Sequence, residues 1–154
     1  MSKRQAGFTL IELIFFIVVV GASLAGIQSV STTIVKSSAD PLMRKQSLAI
    51  AQSLLEEILL KAYSKPTGST VLGYAGSGPR NLYDSVGDYQ GYLTTAGIVD
   101  STLTAVPGLT AYNISPAVSV TPATLGVVPV LRVEVFVTGP GGNVVSLVAY
   151  RGSY

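Results

Sequence analysis

The chain has 154 residues, enough for one ordinary domain, with 48% hydrophobic and only 12% charged residues and a mean hydropathy of +0.51. It contains no cysteine and no histidine, which removes disulfides, thiolate nucleophiles, zinc–sulfur sites and the usual general base, and argues against a secreted enzyme. The formal charge of +2 comes from Lys3 and Arg4 alone; from Phe8 onward basic and acidic residues balance, so the chain carries no electrostatic footprint for nucleic acid.

The first element is an apolar run from Phe8 to Ile27, interrupted by one ionisable residue, Glu12. Twenty helical residues span about 30 Å, the thickness of a bilayer's hydrocarbon core. Lys3 and Arg4 ahead of it favour a cytoplasmic N-terminus, although Lys36, Arg44 and Lys45 on the far side weigh against that orientation. An ordinary secretory signal peptide is one reading, with Ser23-Leu24-Ala25 as a small-residue cleavage site. Glu12 opposes it, because a carboxylate in a membrane helix costs roughly 2.5 to 3.5 kcal/mol and export signals have no use for one. No Lys or Arg lies between residues 5 and 35. A partner for Glu12 must therefore come from another molecule or from a charge created by processing.

Gly7-Phe8-Thr9-Leu10-Ile11-Glu12 behind a short basic leader resembles the class III signal of type IV pilins and type II secretion pseudopilins. That resemblance implies cleavage between Gly7 and Phe8 by a membrane-embedded prepilin peptidase, N-methylation of Phe8, and an assembly charge pair between Glu12 and the Phe8 amine of a neighbouring subunit. Neutralising two buried charges together removes most of the penalty either incurs alone. The small residues Gly21, Ala22, Ala25 and Gly26 form two overlapping small-xxx-small pairs that suit close helix packing, though such residues are common in membrane helices.

Polar residues follow from Gln28 to Ser38, and Asp40-Pro41 reads as an N-cap and first helical position. Leu48, Ala51, Leu55, Ile58, Leu59 and Ala62 recur at helical spacing, which predicts an amphipathic helix from Pro41 to about Tyr63. Lys61 and Lys65 suit its negative end, and Lys65-Pro66-Thr67-Gly68 stops it. Whether residues 28–40 continue the helix is open; the resemblance implies one long N-terminal helix with a discontinuity, for which Asp40-Pro41 is the candidate.

Residues 66–109 are turn-rich. Gly73, Gly76 and Gly78 lack the G-K-[ST] of a phosphate loop. In the stretch from Arg80 to Tyr92, Asp84 and Asp88 alternate with three tyrosines. A structural turn, a calcium site on Asp84 and Asp88, or an acid–base pair all fit that composition, with only two carboxylates making calcium a thin case. A similar aspartate–tyrosine segment after the long helix is found in minor pilins of the mannose-sensitive haemagglutinin (MSHA) pilus, and residues 40–58 resemble the D-type proteins of that set.

Val130 to Thr138 alternates as a strand, Gly139-Pro140-Gly141-Gly142-Asn143 reads as a turn, and Val144 to Arg151 returns, a hairpin. Tyr112, Ile114, Val118 and Val120 suggest a third strand, broken or edge-located at Pro116. The expectation is an α+β fold: a long N-terminal helix, half membrane and half amphipathic, packed on a small antiparallel sheet in the manner of type IV pilins. The expected divisions are a leader at 1–7, an assembly helix at 8–27, a linker and amphipathic helix at 28–65 and a periplasmic β-rich domain at 66–154. The resemblance implies a non-catalytic, cofactor-free minor pilin anchored once in the inner membrane and then incorporated into a pilus on the cell surface. Its implied partners are the prepilin peptidase, other pilin subunits and the inner-membrane assembly platform, with no nucleic acid. The alternatives are a minor pseudopilin of a type II secretion system and a pilus-tip adhesin.

Overall fold

A computed structural model describes residues 10–69 and 78–153, the side chains of 26 and 28–40 excepted. Helix α1 runs from Leu10 to Leu59 and is followed by an antiparallel sheet of four strands, β1 (Asn113–Ile114), β2 (Ser119–Leu125), β3 (Val128–Thr138) and β4 (Val144–Gly152). This is the α+β arrangement expected. The chain divides into two compact units, Met1–Pro41 and Leu42–Tyr154.

The helix does not start at Asp40-Pro41. Pro41 lies inside α1, so the proposed cap and first helical position are corrected. Proline has no amide to donate to the preceding turn and its ring crowds that turn's carbonyl, and the division into units falls directly after it.

In the second unit, α1 buries Ser47, Ile50, Ala51, Leu54, Leu55 and Ile58. That is a stripe at three- and four-residue spacing, but rotated from the predicted one: Leu48 is 42% exposed, and Ile50 and Leu54 take its place in the core. The helix ends at Leu59 because the next residues join other elements. The Ala62 amide donates to the carbonyl of Asp84 and its carbonyl accepts from the amide of Val86, so Ala62 forms a parallel bridge with Ser85. Lys61 and Lys65 accordingly do not cap α1. Lys61 Nζ donates to the carbonyl of Tyr83 at 2.7 Å, and Lys65 reaches Asp88.

β3 is the centre of the sheet. On one side it pairs with β4, Val133 opposite Ala149, Val135 opposite Leu147 and Val137 opposite Val145; on the other it pairs with β2 and, beyond it, β1. Period-two alternation turns Val133, Val135 and Val137 inward to zero exposure, against the α1 stripe, while Arg132 and Glu134 face outward and pair at 2.7 Å. The single third strand expected around Pro116 is two strands, separated by a cis Ser115–Pro116 peptide. β2 also continues past Thr121 into a hairpin with β3 whose turn is Gly126-Val127, Gly126 having φ +64°. Gly139 permits one close approach: a Cβ there would lie 2.8 Å from Ser47 Oγ, so the β3–β4 turn sits against the helix only because the position lacks a side chain.

Candidate functional site

Two regions carry chemistry, one in each unit. In the first, Glu12 stands in the first turn of α1, where the helix dipole favours a carboxylate. Gly7 and Phe8, the predicted cleavage pair and amine donor, lie outside the described residues. Around Glu12 the apolar side chains are exposed on every face of the helix. Leu10, Ile11, Leu13, Ile14, Phe15, Phe16, Ile17, Val18 and Val19 are each at least half exposed. A helix apolar all round is found buried in protein or lipid, and a bare patch of this size marks an interaction surface. Among the described residues no helix is long and apolar enough to cross a membrane; the predicted run begins at Phe8, before the described part. Gly21 has open space where a Cβ would stand, as close helix approach requires.

In the second unit, the Arg80–Tyr92 segment wraps the end of α1 through two adjacent clusters. Arg80 begins a short 3-10 turn (Arg80–Leu82) and is only 6% exposed. Its Nε donates to Glu57 Oε1 at 3.0 Å and its Nη2 to Oε2 at 3.2 Å, a two-pronged ion pair. Nη1 donates to Tyr92 Oη at 2.6 Å and to the carbonyl of Val99 at 3.2 Å. The Tyr89 hydroxyl donates to Glu57 Oε1 at 2.8 Å. Burial alone would push the Arg80 pKa down, but the hydrogen bonds and charge of Glu57 outweigh it and raise it. Burial and the Glu57 carboxylate together push the Tyr89 phenol far above its ordinary value. Tyr83, Tyr89 and Tyr92 are buried, the first two edge to face with centroids 4.9 Å apart. All three belong to the hydrophobic core.

The second cluster is centred on Asp88. Its Oδ2 accepts from the amides of Asp84 and Ser85 and from the Ser85 hydroxyl, and its Oδ1 accepts from Lys65 Nζ at 3.0 Å. Burial pushes the Asp88 carboxyl up, yet the Ser85 hydroxyl, Lys65 and the Ser85 amide hold it below the usual carboxylate range. A depressed folded pKa stabilises the fold above the unfolded value of about 3.9, and this contribution is lost as pH falls through the folded value. Acid unfolding of an Asp88→Asn variant is therefore expected to be shallower with pH below about 4 than that of the parent, measured as midpoint denaturant concentration against pH. Asp84 Oδ1 is buried and makes no hydrogen bond. Among the described residues no group of three or more acidic, His or Cys side chains could hold a metal. For the calcium reading, the donors at hand are Asp84 Oδ1 and backbone carbonyls, beside a lysine already seated on Asp88.

A groove of about 450 Å³ opens along α1, with Ile50, Leu54, Ile98, Leu109 and Ile114 as apolar wall and Glu57, Arg80 and Tyr92 at the polar end. Sequence reasoning did not single out Glu57 and missed its pairing with Arg80. The local signal was thin: a lone arginine after Gly-Pro, ahead of a tyrosine-rich turn, in a chain where cations are scarce.

Residues 2–27 match the family model of the prokaryotic N-terminal methylation motif. No curated protein and no solved structure matches the chain. The motif, whose span takes in the apolar start of α1, together with the α+β arrangement supports a type IV pilin- or pseudopilin-like protein.

Proposed function

We propose that the chain is a minor pilin-like structural subunit of a type IV pilus. The observation that carries this reading is the methylation motif at residues 2–27, continuous with a helix whose apolar side chains are bare on all sides. Prepilin peptidase cuts between Gly7 and Phe8 and methylates the Phe8 amine. The helix from Phe8 to Ile27 holds the subunit in the inner membrane with residues 28–154 in the periplasm, and an assembly platform moves it into a fibre. Glu12 pairs with the amine of the adjacent subunit, so the carboxylate sets the register of stacked helices. The chain is non-catalytic, in keeping with its lack of His and Cys. The resemblance of residues 40–58 and of the Arg80–Tyr92 segment to MSHA minor pilins is the ground for reading the system as MSHA-type and the subunit as a D-type minor pilin within it. A type II secretion pseudopilin shares the same signal and is the competing assembly.

One observation favours a second reading, a binding subunit at the pilus tip: the groove beside Arg80, apolar along its wall and polar at one end. Deleting the gene separates the two. Loss of fibres by electron microscopy is expected for an assembly subunit, whereas normal fibres that no longer adhere would favour the binding subunit.

A further inference from the structure

The ionisable residues along α1 keep one spacing. From Phe8 to Arg44 they are Glu12, Lys36, Asp40 and Arg44, with no other charged side chain in the interval. Glu12 stands four residues after Phe8, Asp40 four after Lys36, and Arg44 four after Asp40. The sign changes at each of these steps, the Phe8 amine being the positive partner of Glu12 once the leader is cut. All but Phe8 lie in a single helix, Leu10–Leu59, in which four residues rise about 6 Å.

Within one helix that spacing brings opposite charges onto neighbouring turns. Between parallel helices it has a second consequence. The Glu12–amine pair of the proposed function, on which this inference rests, sets residue 12 of one subunit level with residue 8 of the next. Carried along parallel helices, the same offset puts Asp40 level with Lys36 of the neighbour, and Arg44 level with the neighbour's Asp40. Unlike signs then stand level at all three places. Other offsets do the reverse: helices without stagger set Lys36 against Lys36 and Asp40 against Asp40, and a stagger of eight sets Lys36 against Arg44, like charges in each case. Arg44 and Lys45 are exposed and make no ion pair with any described residue, whereas Lys61, Lys65, Arg80, Arg132 and Arg151 each hold a partner inside the subunit. Glu57 and Lys61 repeat the spacing of four, but they are committed to Arg80 and to the Tyr83 carbonyl.

We propose that Lys36, Asp40 and Arg44 form a second charge register, which holds α1 against α1 of a second copy at the stagger Glu12 sets. A second copy carries the complementary pattern by identity. The two registers differ in medium. Glu12 acts inside the apolar run, where an unpaired charge is costly. The other three lie beyond its end at Ile27, where solvent screens them, so each pair adds little affinity and the pattern of signs selects the stagger.

The test uses the full-length chain, expressed in the membrane as two differently tagged copies and co-purified in mild detergent. Lys36→Glu paired with itself sets carboxylate level with carboxylate, and Asp40→Lys paired with itself sets cation level with cation. Each is expected to co-purify with its own kind several-fold less than the parent does, with an unchanged circular dichroism spectrum. A Lys36→Glu copy mixed with an Asp40→Lys copy is expected to return to within about twofold of the parent. Each helix of that mixture still opposes like charges internally, so recovery separates pairing between helices from pairing within one. At 1 M salt, where the screening length falls to about 3 Å, the differences are expected to vanish. Parent copies that do not co-purify, single variants that associate as the parent does, or a mixture no better than its components would overturn the proposal. A Glu12→Ala copy run alongside keeps the readings apart: its loss of association beside unaffected Lys36→Glu and Asp40→Lys copies leaves the Glu12 pair standing and removes the second register, whereas its normal association contradicts the Glu12 pair itself.

Discussion

Glu12→Ala is expected to insert and to be cleaved as well as the parent, and to yield roughly a hundredfold fewer fibres. Insertion is not impaired, because the substitution removes a carboxylate that costs roughly 2.5–3.5 kcal/mol in a membrane helix. Assembly suffers for the converse reason. On the proposed charge pair, loss of Glu12 leaves the methylated amine of the next subunit uncompensated in the stacked helices, and breaking one partner of a buried pair costs about 3 kcal/mol or more, a factor of about a hundred in an equilibrium constant. The apolar side chains from Leu10 to Val19 remain in place, so association in general is retained and register is what is lost. Glu12→Asp keeps the charge on a shorter arm and is expected to fall between. Fibre yield equal to the parent's in the alanine variant, quantified by shearing and immunoblot, would refute the charge-pair account.

The largest effect on stability is expected from Arg80→Ala. Arg80 is 6% exposed and satisfies Glu57, Tyr92 and a backbone carbonyl, and its loss strands the Glu57 carboxylate beside the Tyr89 hydroxyl. Glu57 keeps 29% side-chain exposure, so solvent screens part of the damage and the low end of the usual range applies, about 3 kcal/mol. For a body of this size that lowers the melting temperature by about 10 °C. A double variant, Arg80→Met with Glu57→Leu, removes both charges and is expected to be more stable than Arg80→Ala alone, since an apolar replacement of a buried pair is often neutral. If Arg80→Ala melts within a degree or two of the parent, the network contributes nothing to holding the tyrosine segment on α1.

These two predictions rest on residues of very different legibility. Glu12 stands out in the sequence because membrane helices tolerate so few charges that one carboxylate is a signal by itself. The β3–β4 hairpin is equally plain, its strict alternation bracketing Gly139-Pro140-Gly141-Gly142-Asn143, and the observed strands differ from the expected ones by a residue or two. The phase of the α1 stripe was harder. Leu48, Ile50, Leu54, Leu55, Leu59 and Leu60 leave several rotations nearly as apolar as one another, and the choice is made by the approach of the β3–β4 turn at Gly139, which admits Ser47 and turns Leu48 outward. The β2–β3 hairpin was hidden because Pro116 and Pro122 argue against strand locally, whereas both are accommodated at the border of the sheet. The Arg80–Glu57 pair, 23 residues apart, has no periodicity to reveal it.

The central claim is that Gly7–Phe8 is a processing junction and that the apolar segment from Phe8 to Ile27 is an assembly helix. The N-terminal sequence and intact mass of the mature protein recovered from its membrane test it most directly. The expected chain begins at Phe8 and carries one methyl group on its amine. A chain beginning at Gly26, as left by an ordinary signal peptidase, or one that retains Met1 through Gly7, would contradict the claim.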